Sequence, residues 1–282
     1  MRFGAHMSIA GGFDKSVDRA EQAGCDALQI FTKNNNQWRA KPIEDVQVEK
    51  FASRLSETEI GPVVAHDSYL INMASPDDEL WNKSIDAFRI ELERCEQLSV
   101  PFLVTHPGSF VKSTEEEGIQ RIADALNRVH EELAGFKVLT LLETTAGQGS
   151  SIGHRFEQLA AIIEKVSAPE RVGFCLDTCH IFAAGYEIRT EEGYAETMES
   201  FDSILGLDNL KAFHFNDSKR ELGSHVDRHD HIGAGHIGLE GFRHFVNDPR
   251  FDDRAALLET PKSDDLHEDV ENLARLRDLI AK

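Results

Sequence analysis

Apolar positions along the chain follow two alternating periodicities. Short runs rich in β-branched and other apolar residues begin at Arg2, Ala27, Pro62, Phe102, Val138, Val172, Leu210 and Ala255. Between them, stretches such as residues 13–24, 80–99, 115–135 and 153–166 place apolar residues at i, i+3, i+4 and i+7, the spacing of an amphipathic helix. Eight such units, with no linker or change in composition between them, predict an α/β fold in a single domain over residues 1–282. The length and the alternation favour a (β/α)8 TIM barrel over an open doubly wound sheet.

The predicted strands carry polar residues near their carboxyl ends. Those of the third to eighth strands are His66, His106, Glu143, Asp177, His214 and Glu259. Two positions before each lies a branched or small residue, which the alternation of a barrel strand places in the interior. These interior residues are Val64, Val104, Leu141, Cys175, Ala212 and Leu257. Because the carboxyl ends of all barrel strands meet at one mouth, we expect the six polar side chains to converge there.

This convergence predicts a metal cluster. Three imidazoles and three carboxylates buried together would repel and desolvate one another unless a cation neutralised them. Mixed nitrogen and oxygen donors suit Zn²⁺, Mn²⁺ or Fe²⁺ better than Mg²⁺ or Ca²⁺. Further donors are His180, three residues past Asp177, and the segment HVDRHDH. The residues alone leave open which members of that segment take part: His225, Asp227, His229, Asp230 or His231. We expect the remaining histidines, on predicted helices or their starts, at the surface: His130, His154, His244 and His267.

Composition and charge narrow the class of protein. The chain has 282 residues, 40% of them hydrophobic, and a net charge of −20. Such acidity argues against a protein that coats DNA through bulk positive charge, unless bound metals reverse the sign locally. No apolar run approaches a membrane span, and the start lacks the layout of a signal peptide. We therefore expect a cytoplasmic protein with no membrane partner. We also expect a monomer, and we expect its four scattered cysteines to be reduced thiols.

Seven motifs in chain order resemble the endonuclease IV family, the zinc-dependent apurinic/apyrimidinic endonucleases of base-excision repair. They are HDSYLIN at His66, HPGS at His106, LLETTAGQG around Glu143, LDTCH at Asp177, HFNDSK at His214, VDRH at Asp227 and ET at Glu259. GAHMS near the start and FTKN-x-x-QWRA after the second strand add to them, and the likeness extends over the whole chain. It implies a hydrolase of the deoxyribonuclease IV (phage-T4-induced) type that acts on damaged double-stranded DNA.

The resemblance also implies a barrel that holds three zinc ions through nine side chains. One zinc would be bound by His66, His106 and Glu143. A second would be bound by Glu143, Asp177, His214 and Glu259, and a third by His180, Asp227 and His229. Glu143 would then bridge the first two ions, and Asp230 and His231 would bind none.

Cleavage in this family is 5′ to an abasic site and leaves a 3′-hydroxyl and a 5′-deoxyribose phosphate. The resemblance implies a zinc-activated hydroxide as the nucleophile, with Glu143 and Glu259 as the catalytic carboxylates. The candidate DNA-binding residues follow the second and third strands: Lys33, Asn34, Asn36, Arg39, Tyr69 and Leu70. Asn36 stands where relatives often have an arginine that inserts into the DNA stack.

Two other functions fit part of the pattern. Four of the donors, Glu143, Asp177, His214 and Glu259, could alone form the single divalent-metal site of a sugar isomerase or epimerase of the xylose-isomerase-like barrels. Such an enzyme has no evident use for the other five donors. A non-catalytic module that stores zinc or recognises DNA without cutting it would be expected to have a closed ligand shell. We therefore predict the repair endonuclease.

Overall fold

The computed structural model describes residues 1–281 and contains a closed barrel of eight parallel strands. They are β1 (Arg2–His6), β2 (Ala27–Phe31), β3 (Val63–His66), β4 (Phe102–Thr105), β5 (Leu139–Glu143), β6 (Val172–Asp177), β7 (Leu210–His214) and β8 (Ala255–Leu258). Neighbours in the barrel are neighbours in the chain, and β1 pairs with β8 with Phe3 opposite Ala256. The predicted (β/α)8 TIM barrel is confirmed, because each of the eight predicted runs contains one of these strands.

Helices surround the barrel, and four of them coincide with the four helical stretches that the sequence predicts. The helices are α1 (Phe13–Ala23), α2 (Asp45–Ser56), α3 (Asp78–Gln97), α4 (Glu115–Glu132), α5 (Phe156–Ile163), α6 (Thr178–Ala184), α7 (Glu191–Leu205), α8 (Gly238–Val246) and α9 (His267–Asp278), with 3-10 turns at Pro169–Arg171, Leu207–Asn209 and Pro249–Phe251. Helix α4 shows how the sequence sets a boundary. Thr114 Oγ1 accepts the backbone N–H of Glu117, whose carboxylate accepts the backbone N–H of Thr114. This reciprocal cap and an acidic first turn favour a helix start there.

The barrel interior is filled by small and branched side chains. They are the six predicted residues Val64, Val104, Leu141, Cys175, Ala212 and Leu257, together with Ala27 and Ala255. A second, larger apolar layer lies between the strands and the helices. Since the interior below them is closed by packed side chains, the polar strand ends can face only the mouth.

Two short antiparallel ladders hold loops at the mouth. Residues Gly108–Ser109 pair with Ser151–Ile152, and Asp217–Ser218 pair with His229–Asp230. In the second ladder the Asp217 carboxylate also accepts backbone N–H groups from three residues farther along the chain: Gly233, Ile237 and Gly238. The segment HVDRHDH is therefore tied to the end of β7 rather than free in solvent.

His130 lies in the core, so the expectation that it is a surface residue is wrong. In α4 it follows Ile119 and Leu126 at helical spacing and shares the apolar face that packs on the barrel. Its Nε2 lies 3.1 Å from Oγ1 of Thr140 in β5. Burial, together with the positive charge of Arg171, lowers the pKa of His130 to about 4.

Other expectations concern the remaining histidines and the cysteines. His267 is exposed, whereas His154 and His244 are half-buried. The four cysteines are buried free thiols, as predicted. Within residues 1–281, no helix is both long enough and apolar enough to cross a membrane.

Candidate metal centre

The six strand-end side chains converge at the mouth, with the buried carboxylate of Glu143 at their centre. Its Oε2 lies 3.1 Å from Nε2 of His66 and 3.1 Å from Nε2 of His106. Its Oε1 lies 2.8 Å from Nδ1 of His214 and 3.3 Å from Nδ1 of His180. Each oxygen of one carboxylate thus faces two imidazoles, a geometry that would let it bridge two cations.

Nine side chains at the mouth form three of the donor groups there, and a further group of Asp177, Cys179 and His229 overlaps two of them. In each group the possible ligand atoms all lie within 4.8 Å of one another. The three groups are His66, His106 and Glu143; Glu143, Asp177, His214 and Glu259; and His180, Asp227 and His229. In the third group Asp227 lies between two rings, with Oδ2 3.1 Å from Nε2 of His180 and Oδ1 3.2 Å from Nε2 of His229. The sets coincide with those that the sequence resemblance implies.

Four of the imidazoles have an acceptor at the ring nitrogen opposite the one that faces the other donors of their own group. The pairs are Nδ1 of His66 with O of Asp67 (2.9 Å), Nδ1 of His180 with O of Thr144 (2.8 Å), Nε2 of His214 with Oε1 of Gln29 (2.8 Å), and Nδ1 of His229 with O of Glu259 (3.3 Å). A proton on the nitrogen that faces the acceptor leaves the lone pair on the other nitrogen. Metal-binding histidines are held in this way.

The carboxylates are held as firmly as the rings. Asp177 ends β6 and caps α6, because its Oδ1 accepts the backbone N–H of His180 at 2.9 Å. Its Oδ2 accepts a hydrogen bond from Nδ2 of Asn216 at 2.7 Å. Oδ1 of the same Asn216 accepts a hydrogen bond from the backbone N–H of Glu259 at 2.9 Å. One asparagine therefore fixes the ends of β6 and β8 relative to each other.

The mouth stabilises positive charge strongly. Burial disfavours a charged ring, yet Glu143 and Glu259 outweigh it and raise the pKa of His66 to about 9. Burial likewise disfavours a charged His229, but neighbouring aspartates raise its pKa to about 9. The opposite shift holds for Glu143, where burial opposes ionisation but the surrounding histidines keep its pKa well below the usual range. A divalent cation would meet the same field that favours these protonated rings.

The donor set fits divalent zinc. It combines imidazole nitrogens with carboxylate oxygens, the ligands that Zn²⁺ takes in catalytic sites. In addition, Nε2 of His229 is buried and makes no hydrogen bond of good geometry in the described structure, although Oδ1 of Asp227 lies 3.2 Å away. A buried polar atom without a partner is costly unless something binds it, and a cation in the third group would do so.

Comparisons with known proteins identify the family. A family model described as a xylose isomerase-like TIM barrel matches residues 17–279. The chain is 56% identical over 279 residues to the probable endonuclease 4 of Chloroflexus aurantiacus, covering 99% of this chain and 98% of that protein. The crystal structure of endonuclease IV from Thermus thermophilus matches with a TM-score of 0.86 and 37% identity over 99% of this chain and 98% of that one.

The chain belongs to the endonuclease IV family. The D-psicose 3-epimerase of Clostridium cellulolyticum also matches, with a TM-score of 0.70 and 99% of each chain covered, but at 14% identity. That likeness shows a shared barrel and carries no argument about function.

Two side chains at the mouth of this endonuclease IV barrel go beyond those that the sequence predicts. Gln29 in β2 donates from Nε2 to Oε1 of Glu259 at 2.6 Å, while its Oε1 faces His214. His6 ends β1, with Nδ1 3.1 Å from Nε2 of Gln29, and burial lowers its pKa to about 3. The sequence contains a feature that could have indicated each of them. Gln29 is a polar residue inside the apolar run ALQIF, and His6 is a histidine at a strand end in GAHMS.

Three residues of HVDRHDH lie outside the donor groups. Asp230 pairs with Asp217 in the short ladder. Nδ1 of His231 lies 3.1 Å from Nδ2 of Asn272, and Nδ1 of His225 lies 3.1 Å from the carbonyl oxygen of Ala146. The geometry thus separates Asp227 and His229 from their neighbours, which the sequence pattern alone left open.

The candidate DNA-binding residues fall into two sets. Most have accessible side chains: Tyr69 is 58% exposed, Leu70 is half-buried, and Asn34, Asn36 and Arg39 are exposed. Lys33 differs from the expectation, because its side chain is only 3% exposed and its Nζ lies 3.1 Å from Oε1 of the buried Glu91. Its ammonium group is therefore turned into the protein, away from any phosphate at the surface.

Proposed function

We propose that this chain hydrolyses the phosphodiester bond 5′ to an abasic site in double-stranded DNA. The observation that carries the proposal is the buried Glu143 carboxylate, shared by two donor groups and facing four imidazoles. Membership of the endonuclease IV family supports the same activity. Water would add to phosphorus and the bond to the 3′ oxygen would break, leaving a 3′-hydroxyl and a 5′-deoxyribose phosphate.

Three zinc ions would be held by the three donor groups, with Glu143 between the first two. When bound, zinc lowers the pKa of a bound water to about 7 and stabilises the attacking and leaving oxygens. Four carboxylates among the nine donors cannot neutralise three divalent cations, so the loaded mouth would be positive although the chain carries −20 overall. This local charge would attract the phosphate that the rest of the surface repels.

The chain's own residues would divide the work. Glu143 and Glu259 keep their carboxylates ionised, because nearby histidines outweigh burial and hold the pKa of Glu259 at about 2. Glu143 would orient the attacking water. Gln29 donates to the carboxylate of Glu259 and Asn216 accepts its backbone N–H, and these contacts would hold Glu259 in position during the reaction.

Selection of damage would come from both the lesion and the loops. A nucleotide without a base costs less to extrude from the stack than an intact one. A cavity of about 430 Å³ lies beside the metal centre and is lined by Tyr69, His106 and Asp227 among others. Tyr69 and Leu70 would enter the duplex at the lesion, and Asn34, Asn36 and Arg39 would contact its backbone or minor groove.

A sugar isomerase or epimerase is the second candidate, because Glu143, Asp177, His214 and Glu259 form a complete four-donor group by themselves. The first and third groups favour the nuclease, since one-metal chemistry leaves their donors without a role. We expect about three zinc ions per chain by elemental analysis of the purified protein. A ratio near one, together with turnover of a ketose, would favour the sugar enzyme.

A nicking assay tests the function directly. The zinc-loaded protein would be incubated with an end-labelled duplex that carries one abasic analogue, and with the intact duplex as the control. We expect a nick at the analogue only, a 3′ end that a DNA polymerase extends, and loss of activity with a chelator. Binding without any nick would support a recognition module. Absence of both binding and nicking would overturn the proposal.

A further inference from the structure

We propose that the buried ion pair of Lys33 and Glu91 positions the loop between β2 and α2, and that helix α3 thereby sets the affinity for damaged DNA. The loop comprises residues 32–44 and is called loop 32–44 below. The inference rests on the proposed function, because the exposed residues of this loop are the ones that would meet the duplex. It assigns Lys33 a positioning role in place of a DNA contact.

The pair lies in the protein interior. The side chains of Lys33 and Glu91 are 3% and 1% exposed, and Nζ lies 3.1 Å from Oε1. The second carboxylate oxygen of Glu91 accepts the hydroxyl of Thr32, and Nζ of Lys33 also donates to the carbonyl oxygen of Gln37 at 2.7 Å. One carboxylate on α3 therefore fixes two consecutive residues of the loop, and through Lys33 a third residue four positions on. Burying two charges costs free energy unless such contacts satisfy them.

The same helix holds the rest of the loop. Arg94 donates from Nε to the carbonyl oxygen of Thr32 at 3.1 Å and from Nη1 to that of Lys41 at 2.8 Å. Gln97 donates to the carbonyl oxygen of Ile43 at 3.0 Å. These residues follow Glu91 at intervals of three, which puts all three on one face of α3. The loop is thus anchored at its beginning, middle and end by one rigid element.

An aromatic contact gives the loop a reporter. Nζ of Lys83, also on α3, lies 4.3 Å from the ring centroid of Trp38, within the range of a cation–π contact. Trp38 is half-buried, whereas its neighbours Gln37 and Arg39 are exposed. The loop therefore has an inner side fixed to α3 and an outer side of Asn34, Asn36 and Arg39. Ordering the inner side before DNA arrives removes part of the entropy cost of binding.

Glu91→Gln tests the proposal through the sign of its effect. Removing a negative charge from a protein that binds an anionic ligand should strengthen binding if only electrostatics matters. Loss of positioning predicts the reverse: a Kd for the abasic-analogue duplex higher by about tenfold, with kcat within about twofold of wild type. Glu93→Gln is the matched control, since it removes the same charge from α3 at a side chain that pairs with Arg89 instead of the loop. It should bind at least as tightly as wild type.

Fluorescence of Trp38 gives a readout that needs no DNA. The chain has two tryptophans, so Trp81→Phe leaves Trp38 as the sole reporter. In that background Glu91→Gln should make Trp38 more accessible to acrylamide, and Glu93→Gln should not. If Glu91→Gln fails to fold, the double variant Lys33→Met/Glu91→Leu replaces the pair by apolar side chains at the same net charge, an exchange that buried pairs often tolerate. It should show the same weaker binding and the same exposure of Trp38.

The outcomes separate this inference from the proposed function. Unchanged or tighter binding by folded Glu91→Gln, or quenching equal to that of the parent, would overturn the positioning role. If wild-type protein neither binds nor nicks the abasic duplex, the proposed function fails, and the quenching result alone decides whether the pair orders loop 32–44. A kcat that falls with Kd unchanged would also overturn the inference, because it would place Glu91 in the chemistry.

Discussion

Nε2 of Gln29 lies 2.6 Å from Oε1 of Glu259, although 230 positions of sequence separate the two residues. The same amide faces Nε2 of His214 with its oxygen at 2.8 Å. Gln29 therefore orients two of the four donors of the second group, one a carboxylate and one an imidazole. An amide has one donating and one accepting end. Its N–H therefore stabilises the ionised carboxylate of Glu259, and its oxygen fixes the tautomer of His214.

Replacing Gln29 by leucine should lower the affinity for zinc. Leucine has a similar volume but can neither donate to Glu259 nor accept from His214. Loss of a partner that orients metal ligands costs about 10- to 100-fold in affinity. Competition with a chromogenic chelator would measure this, with Gln120→Leu on the exposed side of α4 as the control. Equal affinities for Gln29→Leu and wild type would show that the amide is not needed to hold these donors.

Six of the nine donors could be predicted from the pattern because they recur at the carboxyl ends of six successive strands. His66, Glu143 and Asp177 each end a run of apolar residues, and barrel closure brings such ends together whatever the loops do. Gln29 lacks that signature, since it lies inside the run ALQIF. Its partners become visible only when β1 and β8 close the barrel.

The errors of prediction have a common physical cause. Lys33 lies among polar loop residues, and nothing in the loop reveals a buried acid on a later helix. Glu91 in turn has the residue type of an exposed helix position. His130 is a polar residue type but sits on the apolar stripe of α4. In each case a long-range partner or a packing face determines whether the side chain is buried, and residue type alone does not reveal it.

Glu143→Gln should abolish nicking while the fold survives. The amide keeps the size of the side chain but removes the negative charge that two donor groups share. We expect the rate on abasic duplex to fall by more than about a hundredfold, the upper range for partners that only orient ligands. Glu131→Gln, an exposed position in α4, controls for loss of a surface charge. A retained rate in a folded variant would remove Glu143 from the mechanism.

Tyr69→Ala should weaken binding to the lesion. The ring is 58% exposed, and its centroid lies 5.5 Å from that of His66 and 5.6 Å from that of Phe31. It therefore borders the centre and can reach a duplex bound over it. Loss of an aromatic ring that stacks on bases costs about 1–3 kcal/mol, so Kd should rise by about tenfold or more. Tyr69→Phe should retain most of the affinity, and normal binding and cleavage by the alanine variant would exclude a wedge role.

His130→Gln should reduce the loss of stability in mild acid. The ring is 5% exposed, and burial followed by the charge of Arg171 lowers its pKa to about 4 from an ordinary value of 6.5. Between those values the unfolded chain binds a proton that the folded chain does not, so this residue destabilises the fold as pH falls through about 6.5 toward 4. From pH 7.5 to pH 5 the loss from His130 amounts to about 2 kcal/mol.

The variant glutamine can still bond to Thr140 and does not titrate. Between pH 7.5 and pH 5 the free energy of unfolding, measured in urea, should therefore fall by about 2 kcal/mol less in His130→Gln than in wild type. His267→Gln at the surface, where contact with Asp265 raises the pKa of the histidine, should not show this protection. Parallel pH dependence in wild type and His130→Gln would mean that His130 has the same pKa in the folded and unfolded chain.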